Sequence, residues 1–316
     1  MRTIHINEAG QAVAPDPVLM TKEDFEPRNN TRIFWLGGGA AMISSHGTNI
    51  LIDPVLEGFD MELLIDNPLP VDQVGTVDAV CITHIDNDHF SRMTLHDIED
   101  RVKTMIAPGY VADVMKEEEN FPVQKKKIGD TFSAGTVSAK LTPARHNWQN
   151  GSSKYSYRFW EESDFCGYWF DTPDGSIWMP GDSQLLDEQL HMPDPDVILF
   201  DFADNEWHIT LEGAITLANT YPHAQLVCIH WGTVNAPHMT PFNGNPNDLT
   251  GRVVDPERIH ILAPGEALEV KKTCVKENWE RPIRWFRRSA WDAWDLENRN
   301  TDSISGRWIM NRPIRS

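Results

Sequence analysis

The chain has 316 residues, 40% of them hydrophobic, with 12 Trp and 13 Phe, a globular composition long enough to bury an extensive core. Its 28 Lys and Arg against 47 Asp and Glu leave a net charge of -19, which disfavours nucleic acid and anionic membrane surfaces as partners. No apolar run approaches the roughly 20 residues of a membrane-spanning helix, so stable membrane insertion is not expected.

Residues 1–29 are polar, contain proline and lack periodicity, and read as an N-terminal arm without the basic start and apolar stretch of an export signal. Together with four scattered cysteines at 81, 166, 228 and 274, this predicts a cytoplasmic protein without a disulfide framework. From Thr31, the runs RIFWL, AAMISSHG and NILIDP, with Gly37-Gly38-Gly39 and His46-Gly47 as the breaks, predict a β-meander. DAVCITH (78–84) reads as a buried strand, and YVADVMKEEE (110–119) as a helix with an apolar stripe. KLTPARH, KYSYRFW, CGYWFD and SIWMPGD predict further strands, with Thr172-Pro173-Asp174-Gly175 as a hairpin turn. DVILFDF is another strand, Thr210 caps a helix to about Thr220, and AQLVCIHW is a buried strand.

This order predicts an α+β fold, an αββα four-layer sandwich of two mixed β-sheets flanked by helices, in one domain over residues 30–272. Residues 273–316 form a Trp- and Arg-rich extension, with Ile283, Phe286, Ala290 and Trp294 at helical spacing. The expected role is a helix packed on the body or on a second copy of the chain, as in a homo-oligomer. The alternative is that Arg281, Arg284, Arg287 and Arg288 hold an anionic group of a small-molecule substrate.

The informative polar clusters all sit where an apolar run ends: THIDNDH after VCI, ARHNW after KLTP, MPGDS after SIW, and CIHWGT after QLV. They offer His84, Asp86, Asp88, His89, His146, Asp182 and His230, and no cysteine at motif spacing. A lone His146 or His230 would more often be a satisfied core or surface histidine, and Asp182 alone could cap a turn. Four imidazoles and three carboxylates together suit one or two divalent cations, zinc or manganese first, with iron also tolerated.

These motifs resemble those of the metallo-β-lactamase superfamily, in which a His-x-His-x-Asp-His run is followed by a single His, an Asp and a final His. The resemblance spans about residues 33–270 and includes LIDP (51–54) and LAPGEALEV (262–270). GGGAAMI, PARHNW and HWGT are most similar to the branch holding ascorbate-6-phosphate lactonase and phospholipase D-like enzymes of N-acyl-phosphatidylethanolamine. The pattern departs at the second position, where this chain has Asp86 in place of histidine.

The resemblance implies a two-metal site. His84, Asp86 and His146 would hold one ion, Asp88, His89 and His230 the other, and Asp182 would bridge ions roughly 3.5–4 Å apart that activate a water as hydroxide. Asp88 would be catalytic, as would His208, which matches a histidine of lactonase-like relatives but could equally be the N-terminal neighbour of a helix. Asp53 would orient a ligand histidine or cap a turn, and Trp148, Asn235 and His238, which flank the metal motifs, would line the substrate site with His208. The implied activity is opening of a small ester or lactone. The alternatives are a phosphodiesterase of the phospholipase D-like kind, and a non-catalytic metal-stabilised binding protein that lost activity through the change to Asp86.

Overall fold

The computed structural model describes residues 2–273. A short hairpin, β1 (His5–Ile6) and β2 (Ala12–Val13), opens the chain and buries Ile4, Ala12 and Ala14 against the core. The backbone N–H of Ala14 donates to the Gly232 carbonyl at 2.8 Å, fastening this segment beside His230. The meander follows as β3 (Thr31–Gly37), β4 (Ala40–Ser45) and β5 (Thr48–Ile52), all antiparallel neighbours.

Three strands then pair in parallel: β6 (Ala79–Cys81), β7 (Met105–Pro108) and β8 (Val123–Lys126). Parallel pairing needs crossovers. Two are helical: α1 (Arg92–Ile98), capped by the Ser91 hydroxyl, and α2 (Gly109–Glu117), which buries Val111, Ala112, Val114 and Met115.

The second sheet contains β9 (Thr131–Ala134), β10 (Val137–Pro143), β11 (Cys166–Thr172), β12 (Gly175–Met179), β13 (Val197–Phe200), β14 (Gln225–Cys228) and β15 (Ile259–His260). Helix α3 (Leu211–Thr220), capped by the Thr210 hydroxyl, connects β13 to β14. The last strand, β16 (Ala267–Glu269), returns to the first sheet beside β3. Each sheet has seven strands and mixed pairing, and Trp35, Trp178, Tyr168, Phe170 and Phe200 are fully buried within the core. This is the expected sandwich.

KYSYRFW (154–160) is not a strand. The Asn150 side chain accepts from the Trp160 N–H and donates to the Trp160 carbonyl, both at 2.9 Å, doing locally what a strand partner would do. The enclosed segment forms 3-10 turns and leaves Tyr157 and Phe159 exposed, so its alternating aromatics do not mark a sheet face. The expected C-terminal helix and its arginines lie outside the described residues. Cys81, Cys166 and Cys228 are buried free thiols. Among the described residues, no helix is long and apolar enough to cross a membrane.

Strand ends set up the site. Asp53 directly follows β5, Asp201 directly follows β13, and His230 comes two residues after β14. His84, His146 and Asp182 each come three residues after their strands, β6, β10 and β12.

Candidate metal centre

Five imidazoles turn Nε2 inward, and each has Nδ1 tied from behind. His89 Nδ1 donates to Asp53 Oδ2 (2.8 Å), His146 Nδ1 to the Trp207 carbonyl (2.8 Å), His230 Nδ1 to the Pro241 carbonyl (3.1 Å) and His208 Nδ1 to Asp201 Oδ2 (2.7 Å). The Thr83 hydroxyl donates to Asp53 Oδ2 (2.6 Å), which leaves its oxygen to accept from His84 Nδ1 (2.9 Å). Carbonyl and carboxylate acceptors fix the proton on Nδ1, so the Nε2 lone pair is the one offered to a cation.

The inward atoms are close. His89 Nε2 is 3.3 Å from His230 Nε2 and 3.0 Å from Asp182 Oδ2, and His230 Nε2 lies 3.3 Å from Asp88 Oδ2 and 3.4 Å from Asp182 Oδ2. His84 and His146 group with Asp182 on the other side. Buried His84 Nε2 has no hydrogen-bond partner, a costly arrangement for a polar atom unless an ion meets it. The donor set, nitrogen and carboxylate oxygen without thiolate, fits zinc, manganese or iron and is able to hold metal.

Asp86 faces the first group. Its Oδ2 is 3.5 Å from His84 Nε2 and 3.4 Å from His146 Nε2, while Trp148 Nε1 donates to Oδ2 (2.8 Å) and Gln149 Nε2 to Oδ1 (2.7 Å). Two donors from the loop after β10 need two acceptor oxygens, which a carboxylate provides and an imidazole does not. The departure at position 86 is therefore matched by its surroundings.

The backbone adapts to these side chains. Asp53 and His230 both have left-handed φ values, 45° and 61°, a conformation disfavoured for non-glycine residues and recurrent where a site over-determines it. A Cβ on Gly39 would collide with the His89 ring, and the His230 N–H donates to the Gly38 carbonyl (2.8 Å), so the glycine turn between β3 and β4 packs directly on the donors.

The electrostatics are strongly coupled. Burial would raise Asp182, but His230, His89 and His208 hold its carboxyl well below the usual range. Burial likewise opposes the charge on Asp86, but His84 together with His146 outweighs it and holds this carboxyl well below the usual range. Burial would lower the imidazoles, yet Asp182 and Asp88 push His89 well up and His230 to about 10, and Asp86 with Asp182 raises His146. The carboxylates thus favour protons on the same nitrogens a cation would take. Metal affinity should strengthen as pH rises from 6 to 8 and weaken on acidification, with proton release visible by calorimetry in buffers of different ionisation enthalpy. A pH-independent affinity would contradict this competition.

Trp148 and His208 line a mouth of about 590 Å³ above the donors, with Tyr155, Trp207, Met239 and Lys154. Asn235 and His238 do not line it. Asn235 Nδ2 donates to Glu62 at 2.8 Å, and His238 is exposed, because the chain turns away after Trp231 and Thr233. Sequence reasoning passed over Asp201, which looked like part of its strand, and Gln149, whose only signal was its place beside HNW.

A family model described as a beta-lactamase superfamily domain matches residues 48–231, more than half the chain. The chain belongs to the metallo-β-lactamase superfamily. This superfamily member is 25% identical over 253 residues to a UPF0173 metal-dependent hydrolase of Pyrobaculum arsenaticum, covering 76% of this chain and all of that protein. It is 27% identical over 261 residues to one from Rubrobacter xylanophilus, covering 77% and 98%. In fold it is similar to Igni18, a metallo hydrolase of the archaeon Ignicoccus hospitalis, at a TM-score of 0.60 and 17% identity over 77% of this chain and 99% of that one. An isothiocyanate hydrolase from Delia radicum gut bacteria has a TM-score of 0.59 at 17% identity, over 75% and 98%.

Proposed function

We propose that this chain, a metal-dependent hydrolase by family and donor set, opens a small ester or lactone. The observation that carries the reading is the convergence of five Nδ1-tied imidazoles with Asp86, Asp88 and Asp182 beneath an aromatic mouth. Asp182 faces both donor groups. The names of the curated relatives support the hydrolase class. Two divalent cations in this site would supply Lewis acidity and bring the pKa of a water toward neutrality.

The chain's own residues do the rest. Asp88, with its side chain 16% exposed at the edge of the mouth, accepts the proton released by the attacking water. His208, held through Nδ1 by Asp201 and with Nε2 3.7 Å from Asp182, would give a proton to the departing oxygen only as the imidazolium, with Nε2 also protonated. Trp148, Tyr155 and Trp207 form the walls that exclude bulk water and position the substrate. Apart from histidine, Lys154 is the one cationic side chain among the described lining residues, which favours an ester over a more anionic phosphodiester.

Metal-loaded protein should hydrolyse p-nitrophenyl acetate or a simple lactone at least about tenfold faster than bis(p-nitrophenyl) phosphate. The reverse order would transfer the reading to the phosphodiesterase class, and no turnover of either with zinc, manganese or iron would sink the enzyme reading. Asp86→His should shift metal preference from manganese or iron toward zinc, measured by competition between the ions. An unchanged preference would remove Asp86 from the ligands.

A further inference from the structure

A second cavity, about 160 Å³, opens from the same centre, and Lys154 is not among its lining residues. Its walls include Leu36, Val55, Leu56, Phe59, Val234 and Phe242, and it meets the mouth at Met61, Asp88 and Phe242, which line both spaces. The opposing walls are tied together rather than left loose. Leu63 pairs with Val234 in an isolated antiparallel bridge, Leu64 N–H donates to the Thr233 carbonyl (2.9 Å), and Asn235 N–H donates to the Glu62 carbonyl (2.9 Å). The loop after β5 is thereby held against the segment after β14, and the cleft is a fixed feature of the donor site.

Size and charge define its occupant. An apolar cavity of about 150 Å³ takes a group the size of benzene, equivalent to a chain of roughly six carbons. The charged residues lining the cleft are Glu57, Asp66 and Asp88, all acidic, so an anionic tail is disfavoured there, whereas the mouth has Lys154. The mouth is bordered by exposed Tyr157 and Met239, which gives a leaving group its way out to solvent.

Resting on the hydrolase reading, we propose that the cleft is an acyl subsite: the substrate is an ester whose apolar acyl group, of about six carbons, lies between Val55 and Val234 while its alcohol part occupies the aromatic mouth. The scissile carbonyl then sits at the junction, beside Asp88. Water oxygen bonds to the carbonyl carbon, the acyl C–O bond breaks, the alcohol leaves with a proton through the mouth, and the carboxylate product is released from the cleft after losing its own proton. Polar or very short acyl groups leave the cleft unfilled and lose the binding it offers.

The test uses p-nitrophenyl acetate, hexanoate and dodecanoate with metal-loaded wild type, Val55→Phe and Ile65→Phe. The hexanoate-to-acetate ratio of kcat/KM should be at least about tenfold in wild type and should collapse toward one in both variants, with dodecanoate poorer than hexanoate. A wild-type ratio near one, or a ratio unchanged in both variants, overturns the subsite. Binding of sodium hexanoate and sodium acetate to the same zinc-loaded proteins separates this from the enzyme reading. Tenfold tighter hexanoate binding, lost in Val55→Phe, supports the subsite even if no ester turns over, and equal affinities overturn it.

Discussion

Asp182→Asn should stay folded, hold less metal and lose at least about a hundredfold in turnover, in line with removal of a charge-stabilising group. Asp182 Oδ2 lies 3.0 Å from His89 Nε2, 3.4 Å from His230 Nε2 and 3.7 Å from His208 Nε2, and the same carboxylate groups with His84 and His146. It is the one residue common to both donor groups. Two dications held by these two donor groups would repel strongly in a buried site, and the charge of Asp182 would offset that repulsion. Asparagine keeps the size and one oxygen but not the charge. The loss should fall on kcat more than on KM, because supply of the nucleophile belongs to the chemical step. Metal analysis, a thermal melt and steady-state kinetics on one preparation check it. Full metal content with near-normal turnover would reduce Asp182 to a turn residue after Met179-Pro180-Gly181.

The second large effect is expected at Asp53, which touches neither mouth nor cleft. This fully buried carboxylate accepts from Thr83 N–H (2.7 Å), the Thr83 hydroxyl (2.6 Å) and His89 Nδ1 (2.8 Å). Asp53→Ala leaves three buried donors unpaired and places alanine in a left-handed conformation, so it should destabilise the fold by about 3 kcal/mol or more. Asp53→Asn separates folding from metal binding. With its oxygen in the Oδ1 place it keeps the Thr83 N–H and turns its amide on the Thr83 hydroxyl and the His89 ring proton, both arranged to donate; flipped, the amide meets the Thr83 N–H instead. It should fold and bind metal about 10–100-fold more weakly, the usual effect of losing a ligand's hydrogen-bond partner. Denaturation in the presence of chelator and a metal titration of each variant make the comparison. Wild-type affinity in Asp53→Asn would mean that packing alone orients His89.

The loops that carry the candidate metal donors were legible because the physics that builds them also marks them. Buried strands are apolar runs, and the groups that follow, Thr83 to His89, Ala144 to Trp148 and Ile229 to Thr233, break those runs with side chains that apolar packing does not explain. The two sheets and the helix capped by Thr210 were legible for the same reason, through periodicity and capping chemistry. Three things were hidden. The acceptors behind His146 and His230 are backbone carbonyls of Trp207 and Pro241, which carry no side-chain signature. Asp201 ends a strand that its own apolar run seemed to continue, and only the fold brings it to His208. The alternation in KYSYRFW pointed to a strand, but Asn150 satisfies the Trp160 backbone and removes the need for one. Proximity in sequence also misled: Asn235 and His238 follow His230 closely, yet Asn235 turns to Glu62. The acyl cleft depends on residues from 36, 55–68 and 234–242 meeting in space, and no local pattern announces that.

The most direct measurement of the central claim is the divalent-ion content per chain after reconstitution with zinc, manganese and iron, by elemental analysis of wild type beside the His89→Ala, His230→Ala double variant. The donor geometry predicts between one and two ions in wild type and a clear loss of ion in the double variant, with folding retained. Absence of bound metal in the wild type with all three ions, or identical content in the double variant, would contradict a metal centre built from these residues.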